Sequence, residues 1–263
     1  MLKLGNVPFI NSKPLFYALE NGIVTHPFII ENHPPYVLSQ LLAEKKIHLG
    51  LIPVAELVRR GGYKVIPEIS ISSFGKVDSV LLISKKEIGK INRVALDKRS
   101  QSSSSLIKVI FNCFYGLNPE YVAKDHTRDF FKDVDAGMII GDAGLQYLYS
   151  GNDEYVVYDL GEIWTEKTGL PFVYAVLAVN MEIDLGDDAG IFLEAKKIGM
   201  QNIDEICKNE HEKIGIDFEQ CKNYISHRIR YDLGDPEVRG IHEFAGYLND
   251  IGITAKFDKL EFY

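Results

Sequence analysis

Val94-Ala-Leu-Asp97-Lys-Arg-Ser100-Gln-Ser102-Ser103-Ser104-Ser105-Leu106-Ile-Lys-Val-Ile-Phe111 decides how the rest of the chain is read. Val94 to Leu96 reads as a buried strand and Asp97 to Gln101 as a turn. From Leu106, the residues Ile107, Ile110, Phe111 and Phe114 put one apolar face on a helix. The serines fall where that helix begins. There the first backbone N–H groups lack intrahelical partners and carry the positive end of the macrodipole, so hydroxyls and amides can hold a carboxylate without a lysine. Ser100 or Ser102 also suits the ordinary work of an N-cap. One cap needs one hydroxyl, and four consecutive serines exceed that need.

Outward from this stretch, the chain alternates strands and helices. Toward the N-terminus, strands at Leu2 to Val7, Phe28 to Asn32 and Ile47 to Pro53 alternate with helices at Pro14 to Asn21, Pro34 to Lys45 and Val54 to Arg60. Short loops between alternating elements imply a mainly parallel sheet. Val65 to Ser73 and Val77 to Ser84 follow as two successive strands around the turn Ser73-Phe-Gly75-Lys76. After the polar linker Lys85 to Asn92 the pattern restarts. It runs through strands near 93–96, 121–123 and 136–142, helices at 102–115 and 143–149, a polar segment from Asp125 to Asp135, and a strand at 155–160. Phe172 to Asn180 is a further strand, helices near 187–213, 217–226 and 235–250 follow, and Ile253 to Phe257 is a last strand or an irregular tail. The expected fold is α/β and two-lobed. Residues 1–84 plus 179–263 form an outer lobe, residues 85–178 an inserted lobe, and the two linking segments near Ser84 to Asn92 and Val176 to Asn180 leave a hinged ligand cleft between them.

Open α/β sheets bind ligands outside the carboxyl ends of their strands. Asn11, just past the first strand, stands there, although it could equally cap the following helix or make an Asx turn. Gly141 and Asp142 stand at another such end, where glycine allows close backbone approach and aspartate is either a helix cap or an acid at the ligand. Ser73 and Ser79 bracket the turn that holds Gly75. Trp164, Phe172 and Tyr174 either line the cleft or the hinge or pack as core aromatics that need no ligand.

The 263 residues are 46% hydrophobic and carry a formal net charge of −8. This is ordinary globular material with no basic surface for nucleic acid. Three cysteines without a CxxC spacing suggest a reducing compartment and no zinc site. The longest apolar run, Leu170 to Val179, is too short for a membrane span.

Several motifs in order resemble one family. Asp159-Leu-Gly-Glu-Ile-Trp164-Thr-Glu-Lys-Thr168-Gly-Leu-Pro-Phe-Val-Tyr174-Ala175 is similar to the DLGxxWxxxTGLPFVFA segment of chorismate dehydratases, of the futalosine route to menaquinone. Asn11-Ser-Lys-Pro14-Leu15 resembles their NxxPL loop and Ser73-Phe-Gly75-Lys-Val77-Asp-Ser79-Val80 their SxGxVxSV turn. Asp97-Lys-Arg-Ser100-Gln-Ser102-Ser103 resembles their DxxSxTS helix start, and Ile140-Gly141-Asp142-Ala143 their IGDxAL. Arg230-Tyr231-Asp232-Leu233-Gly234 also fits. Ser102 stands where threonine is common, and Gly144 where alanine is.

The resemblance implies a fold like the type II periplasmic binding proteins, used in the cytoplasm as an enzyme. The implied reaction is loss of water from chorismate to give 3-[(1-carboxyvinyl)oxy]benzoate without cofactor or metal. Its substrate is a small dicarboxylate. On this reading Ser102 and Ser103 hold one carboxylate, and Ser73, Gly75 and Ser79 the other. Asn11 orients a substrate group, with Gly141 close by. No histidine falls in a matched motif, so the base is either the substrate's enolpyruvyl carboxylate or Asp142. Two rivals remain: the sister enzyme that makes 1,4-dihydroxy-6-naphthoate, whose pattern carries histidine in place of Gly141, and a non-catalytic anion-binding module.

Overall fold

The structure is a computed structural model that describes residues 1–97, 100–124 and 131–263. The turn residues Lys98 and Arg99, and the first part of the polar segment read at 125–135, lie outside the described residues.

The chain opens with β1 (Leu2–Asn6), α1 (Lys13–Glu20), β2 (Phe28–Asn32), α2 (Pro35–Ala43), β3 (Leu49–Pro53), α3 (Val54–Arg60) and β4 (Tyr63–Ser73). Pro14 and Pro35 lie in the first turns of α1 and α2, where no N–H is missed. Next come β5 (Val80–Ser84), β6 (Arg93–Asp97), α4 (Gln101–Val109), β7 (Glu120–Lys124), β8 (Ala136–Ile140), α5 (Asp142–Tyr149), β9 (Val156–Asp159) and α6 (Leu160–Thr168). The chain ends with β10 (Phe172–Asn180), α7 (Gly190–Gln201), α8 (Ile203–Glu210), α9 (Phe218–Asn223), α10 (Asp235–Asp250) and the short β11 (Glu261–Phe262).

Two sheets result, one in the order β11-β4-β10-β3-β1-β2 and one in the order β7-β6-β8-β5-β9. β1 runs parallel to β2 and β3, and β6 parallel to β7 and β8, as alternating strands and helices require. Both sheets are nevertheless mixed: β10 is antiparallel to β3 and β4, and β5 antiparallel to β8 and β9. β5 therefore belongs to the inserted lobe and β10 to the outer one. The chain crosses between lobes within 74–79 and again within 169–171, earlier than the division into 1–84 plus 179–263 and 85–178 supposes. β4 and β5 are consecutive strands of different sheets and do not form a hairpin.

The helices also differ from expectation. Residues 161–168, to which the sequence reading gives no element, belong to α6, capped by Asp159, which accepts from the Glu162 N–H, and ended by Gly169 in the left-handed conformation at φ 68°. The single helix expected at 187–213 breaks at Asn202 into α7 and α8. α4 and α9 both run on into π-helical turns, Ile110–Phe114 and Tyr224–Arg228.

The larger of two apolar cores runs through both lobes, and a smaller one, Leu81, Ile83, Ala95, Val134 and Ile139, covers the other face of the inserted sheet. Trp164 of α6, fully buried, meets Phe172 of β10 edge-on at 5.2 Å and Phe244 of α10 at 6.0 Å, and its indole N–H donates to the Pro171 carbonyl at 3.1 Å. Helix seating is tight. A Cβ on Gly199 of α7 would stand 1.8 Å from the Pro14 carbonyl oxygen, and one on Gly240 of α10 would stand 2.2 Å from that of Pro171. No helix among the described residues is long and apolar enough to cross a membrane.

Candidate active site in the cleft between the lobes

Ser100 settles the first question about the serine run. Its backbone is extended, at φ −115° and ψ 104°, and its hydroxyl accepts from the Ser103 N–H at 3.3 Å, so Ser100 is the cap of α4. Ser102 faces across the cleft. Its hydroxyl donates to the Tyr174 carbonyl at 3.0 Å and accepts from the Ala55 N–H at 3.3 Å, joining α4 to β10 and α3 of the other lobe. Ser103 is nearly buried, and its hydroxyl has no hydrogen bond among the described residues. Capped but otherwise open, the first turn of α4 keeps its donors for a ligand.

A cavity of about 600 Å³, counting its mouth, lies against this helix start between the two sheets. Asn11, Ser79, Ser100, Ser102, Ser103 and Gly141 supply its polar wall. The apolar wall includes Phe9, Leu51, Ile71, Val77, Ile140 and Ile229, with Tyr174 at one side. Among the described residues that line it, none has a charged side chain. The one titratable liner is Tyr174, whose phenol is pushed well above its usual range by burial and by the nearby Asp159, against the lowering effect of its hydrogen bond to Ser73.

Gly141 brings the lobes close. Its φ of 64° is unfavourable for a residue with a Cβ, and a Cβ there would stand 3.0 Å from the Phe9 ring. Its N–H donates to the Ser79 carbonyl at 2.8 Å, which fixes Ser79 at the start of β5.

The structure thus brings Asn11, Ser79, Ser102, Ser103 and Gly141 together. Ser73, Gly75 and Asp142 lie outside the cavity wall. The Ser73 hydroxyl shares a 3.0 Å hydrogen bond with the Tyr174 hydroxyl, and the Gly75 N–H donates to Thr165 Oγ1 at 2.8 Å, so these donors support the wall from behind. Asp142, in the first turn of α5, turns its Oδ1 to the Ile10 N–H of the other lobe at 3.2 Å. Its carboxyl is pushed up to about 6, mainly by burial and also by Glu210, against the lowering effects of the Ile10 hydrogen bond and Lys13. His126 lies outside the described residues, and none of the other six histidines lines the cavity.

Of the three aromatics that the sequence places in the cleft or the core, Tyr174 lines the cavity. One residue escaped the sequence reading. Tyr224, fully buried at the start of the second π-helical turn, donates to Ser79 Oγ at 2.8 Å. A buried hydroxyl needs a partner, so a tyrosine among the apolar residues Cys221 and Ile225 was the available signal.

Comparison with known proteins bears on the fold and the family. The crystal structure of protein AF1704 from Archaeoglobus fulgidus superposes with a TM-score of 0.74 at 17% identity, covering 96% of this chain and 98% of that one. The alkanesulfonate-binding protein SsuA from Xanthomonas axonopodis pv. citri, bound to MOPS, gives 0.68 at 13% identity over 97% and 94%. The fold is that of the periplasmic binding proteins. A chorismate dehydratase of Thermus thermophilus is 27% identical over 260 residues, which cover 92% of this chain and 93% of the relative. A family model described as menaquinone biosynthesis matches residues 2–250. With that match spanning nearly its whole length, the chain belongs to the menaquinone biosynthesis family.

Proposed function

We propose that this protein is a chorismate dehydratase, removing water from chorismate to form 3-[(1-carboxyvinyl)oxy]benzoate. The observation that carries the reading is the cavity wall: a capped helix start and neutral donors, with no charged side chain among its described residues. Such a wall suits a small dianion whose own groups do the chemistry. Each hydrogen bond to a carboxylate contributes roughly 1.5–3 kcal/mol, so a few from Ser79, Ser103 and the first amides of α4 offset much of the cost of desolvating the substrate.

The reaction needs one proton removed from the ring carbon that bears the enolpyruvyl ether, and the neighbouring carbon–hydroxyl bond broken. Asn11 has no basic atom, and Asp142 is occupied by the Ile10 N–H outside the cavity wall. We assign proton removal to the substrate's enolpyruvyl carboxylate. The same proton leaves with the hydroxyl as water, and the electron pair of the broken C–H bond completes the aromatic ring. The protein's part is orientation and exclusion of water.

Incubating the purified protein with chorismate tests this. The expected outcome is growth of the aromatic absorbance and a product lighter by one water. Tight binding of chorismate without conversion would instead leave an anion-binding module, and no binding would remove the reading.

A further inference from the structure

The π-helical turn Tyr224–Arg228 grips the first crossing between the lobes at two consecutive residues. From the first residue of the turn, the Tyr224 hydroxyl donates to Ser79 Oγ at 2.8 Å. From the last, Arg228 Nε donates to Asp78 Oδ2 at 2.7 Å. Tyr149, at the end of α5, donates its hydroxyl to the same oxygen at 3.0 Å. One buried carboxylate on the crossing thus joins the outer lobe, through Arg228, to a helix of the inserted lobe.

The backbone around Asp78 is held as firmly as its side chain. Its φ of 60° is left-handed, a conformation that a residue other than glycine keeps only where its surroundings hold it there. The Val77 and Asp78 N–H groups both donate to Asp159 Oδ2, at 3.0 and 2.7 Å, which anchors the crossing to the start of α6. Val77 and Ser79, on either side of Asp78, line the cavity, and so does Ile229, next to Arg228. Asp78 and Arg228 themselves lie outside the cavity wall.

We propose that Asp78 and Arg228 are positioning residues, whose ion pair pins the π-helical turn to the crossing and so sets where Val77, Ser79 and Ile229 stand in the cavity wall. Resting on the dehydratase reading, the assignment gives the pair an effect on turnover without contact to substrate. Losing the pin frees the crossing, and a displaced Ser79 hydroxyl no longer meets the ligand in line. Such a misplacement lowers kcat more than it weakens binding. π-Helical turns are rare and recur at functional sites, and here the turn presents both of its ends to the segment that links the lobes.

Two substitutions of Arg228 separate the bond from the bulk. Glutamine carries its amide nitrogen at the same place along the side chain as the arginine Nε, whereas methionine fills that length without a donor. In the full-length chain kcat should fall about tenfold in Arg228→Met, with KM changed less, and stay within about threefold of wild type in Arg228→Gln. Asp78→Gly suits the left-handed backbone and leaves no buried carboxylate unpaired, so it replaces Arg228→Met where that variant does not fold. It should show the same loss, and the double variant should lose less than about threefold beyond either single one. A ligand-free readout accompanies the kinetics. Hydrogen exchange at the Val77 and Asp78 amides, followed by mass spectrometry of peptides spanning 76–80, should quicken about tenfold in Arg228→Met or Asp78→Gly. Exchange in β1, and throughout Arg228→Gln, should stay near wild type. Wild-type kcat in Arg228→Met or Asp78→Gly, equal losses in Arg228→Met and Arg228→Gln, losses that multiply in the double variant, or unmoved exchange would each overturn the assignment. If exchange responds as expected while wild-type protein leaves chorismate unchanged, the pin stands and the dehydratase reading fails.

Discussion

Burial drives Asp142 and Asp159 in the same direction, and both carboxyls are pushed up to about 6. Asp159 reaches that value although the N–H groups of Asp78, Glu162 and Val77 all lower it. An unfolded aspartate titrates near 3.9, so the folded chain binds more protons between about pH 4 and pH 6. Ionisation of these two groups then costs stability as pH rises through that window. Glu31 and Asp135, held low by hydrogen bonds from Lys3 and Lys86, act the opposite way, so only a variant-minus-wild-type difference isolates one group. Asp142→Asn keeps an oxygen for the Ile10 N–H and removes the charge. Its stability relative to wild type should rise between pH 4 and pH 6, by on the order of 2 kcal/mol at pH 7, measured by denaturant melts across that range. Turnover of the variant should stay within about tenfold of wild type if the carboxylate is a clasp between lobes. A loss of several orders of magnitude with binding intact would make Asp142 the base. Asn11→Ala should do the reverse. It removes a polar side chain of the cavity wall, so kcat should fall by about a hundredfold or more while the melting temperature stays near that of wild type.

Helix α5 shows how an element can set a site that it touches only through backbone. Gly144, where the resembled family carries alanine, packs so closely that a Cβ would lie 2.7 Å from the Ser79 carbonyl oxygen and 3.0 Å from its carbon. That contact and the Gly141 N–H to Ser79 bond seat α5 directly on a cavity residue. Gly144→Ala should therefore cost about 1–3 kcal/mol and lower turnover about tenfold by shifting Ser79; paired melting and kinetic measurements check both parts. Unchanged turnover in a destabilised variant would separate the helix from the site. The same scale explains what the sequence disclosed. α4 was legible because its apolar residues recur with helical period and its serines mark its start. The 235–250 helix was legible for the same reason, with Pro236 in its first turn. The lobe crossings were not. Every residue of β5 and almost every residue of β10 is buried, so neither strand shows the alternation that would tell one sheet from another. α6 carried readable caps in Asp159 and Gly169, but threonines and a tryptophan hid its period. Ser73 and Gly75 fell in a matching motif and still ended behind the wall, because a motif fixes a turn while the partner element, here α6 with Thr165, decides which way its donors point.

The lobes are joined by more than their two crossings. Phe114 after α4, Trp164 of α6, Phe172 of β10 and Phe244 of α10 form one aromatic cluster, and the apolar core that contains them extends through both sheets. Ser102 and Asp142 add hydrogen bonds from the inserted lobe to the outer one on either side of the cavity. Two domains with separate cores can melt separately, but a main core shared by both lobes resists that, even with a smaller cluster on the outer face of the inserted sheet. We therefore expect one cooperative thermal transition, followed both by far-ultraviolet circular dichroism and by the fluorescence of Trp164, the only tryptophan in the chain. A ligand that fits between the lobes binds the folded chain and not the unfolded one. At a hundred times its dissociation constant it adds about 2.7 kcal/mol, which for a chain of this size raises the melting temperature by roughly 5–10 °C. With the aromatic dehydration product as ligand, both probes should move together by that amount. In Ser103→Ala, which removes a cavity hydroxyl but no helix cap, more product should be needed for the same shift. Two separate transitions, only one of them shifted by product, would mean that the lobes fold independently and that the cavity belongs to one of them alone.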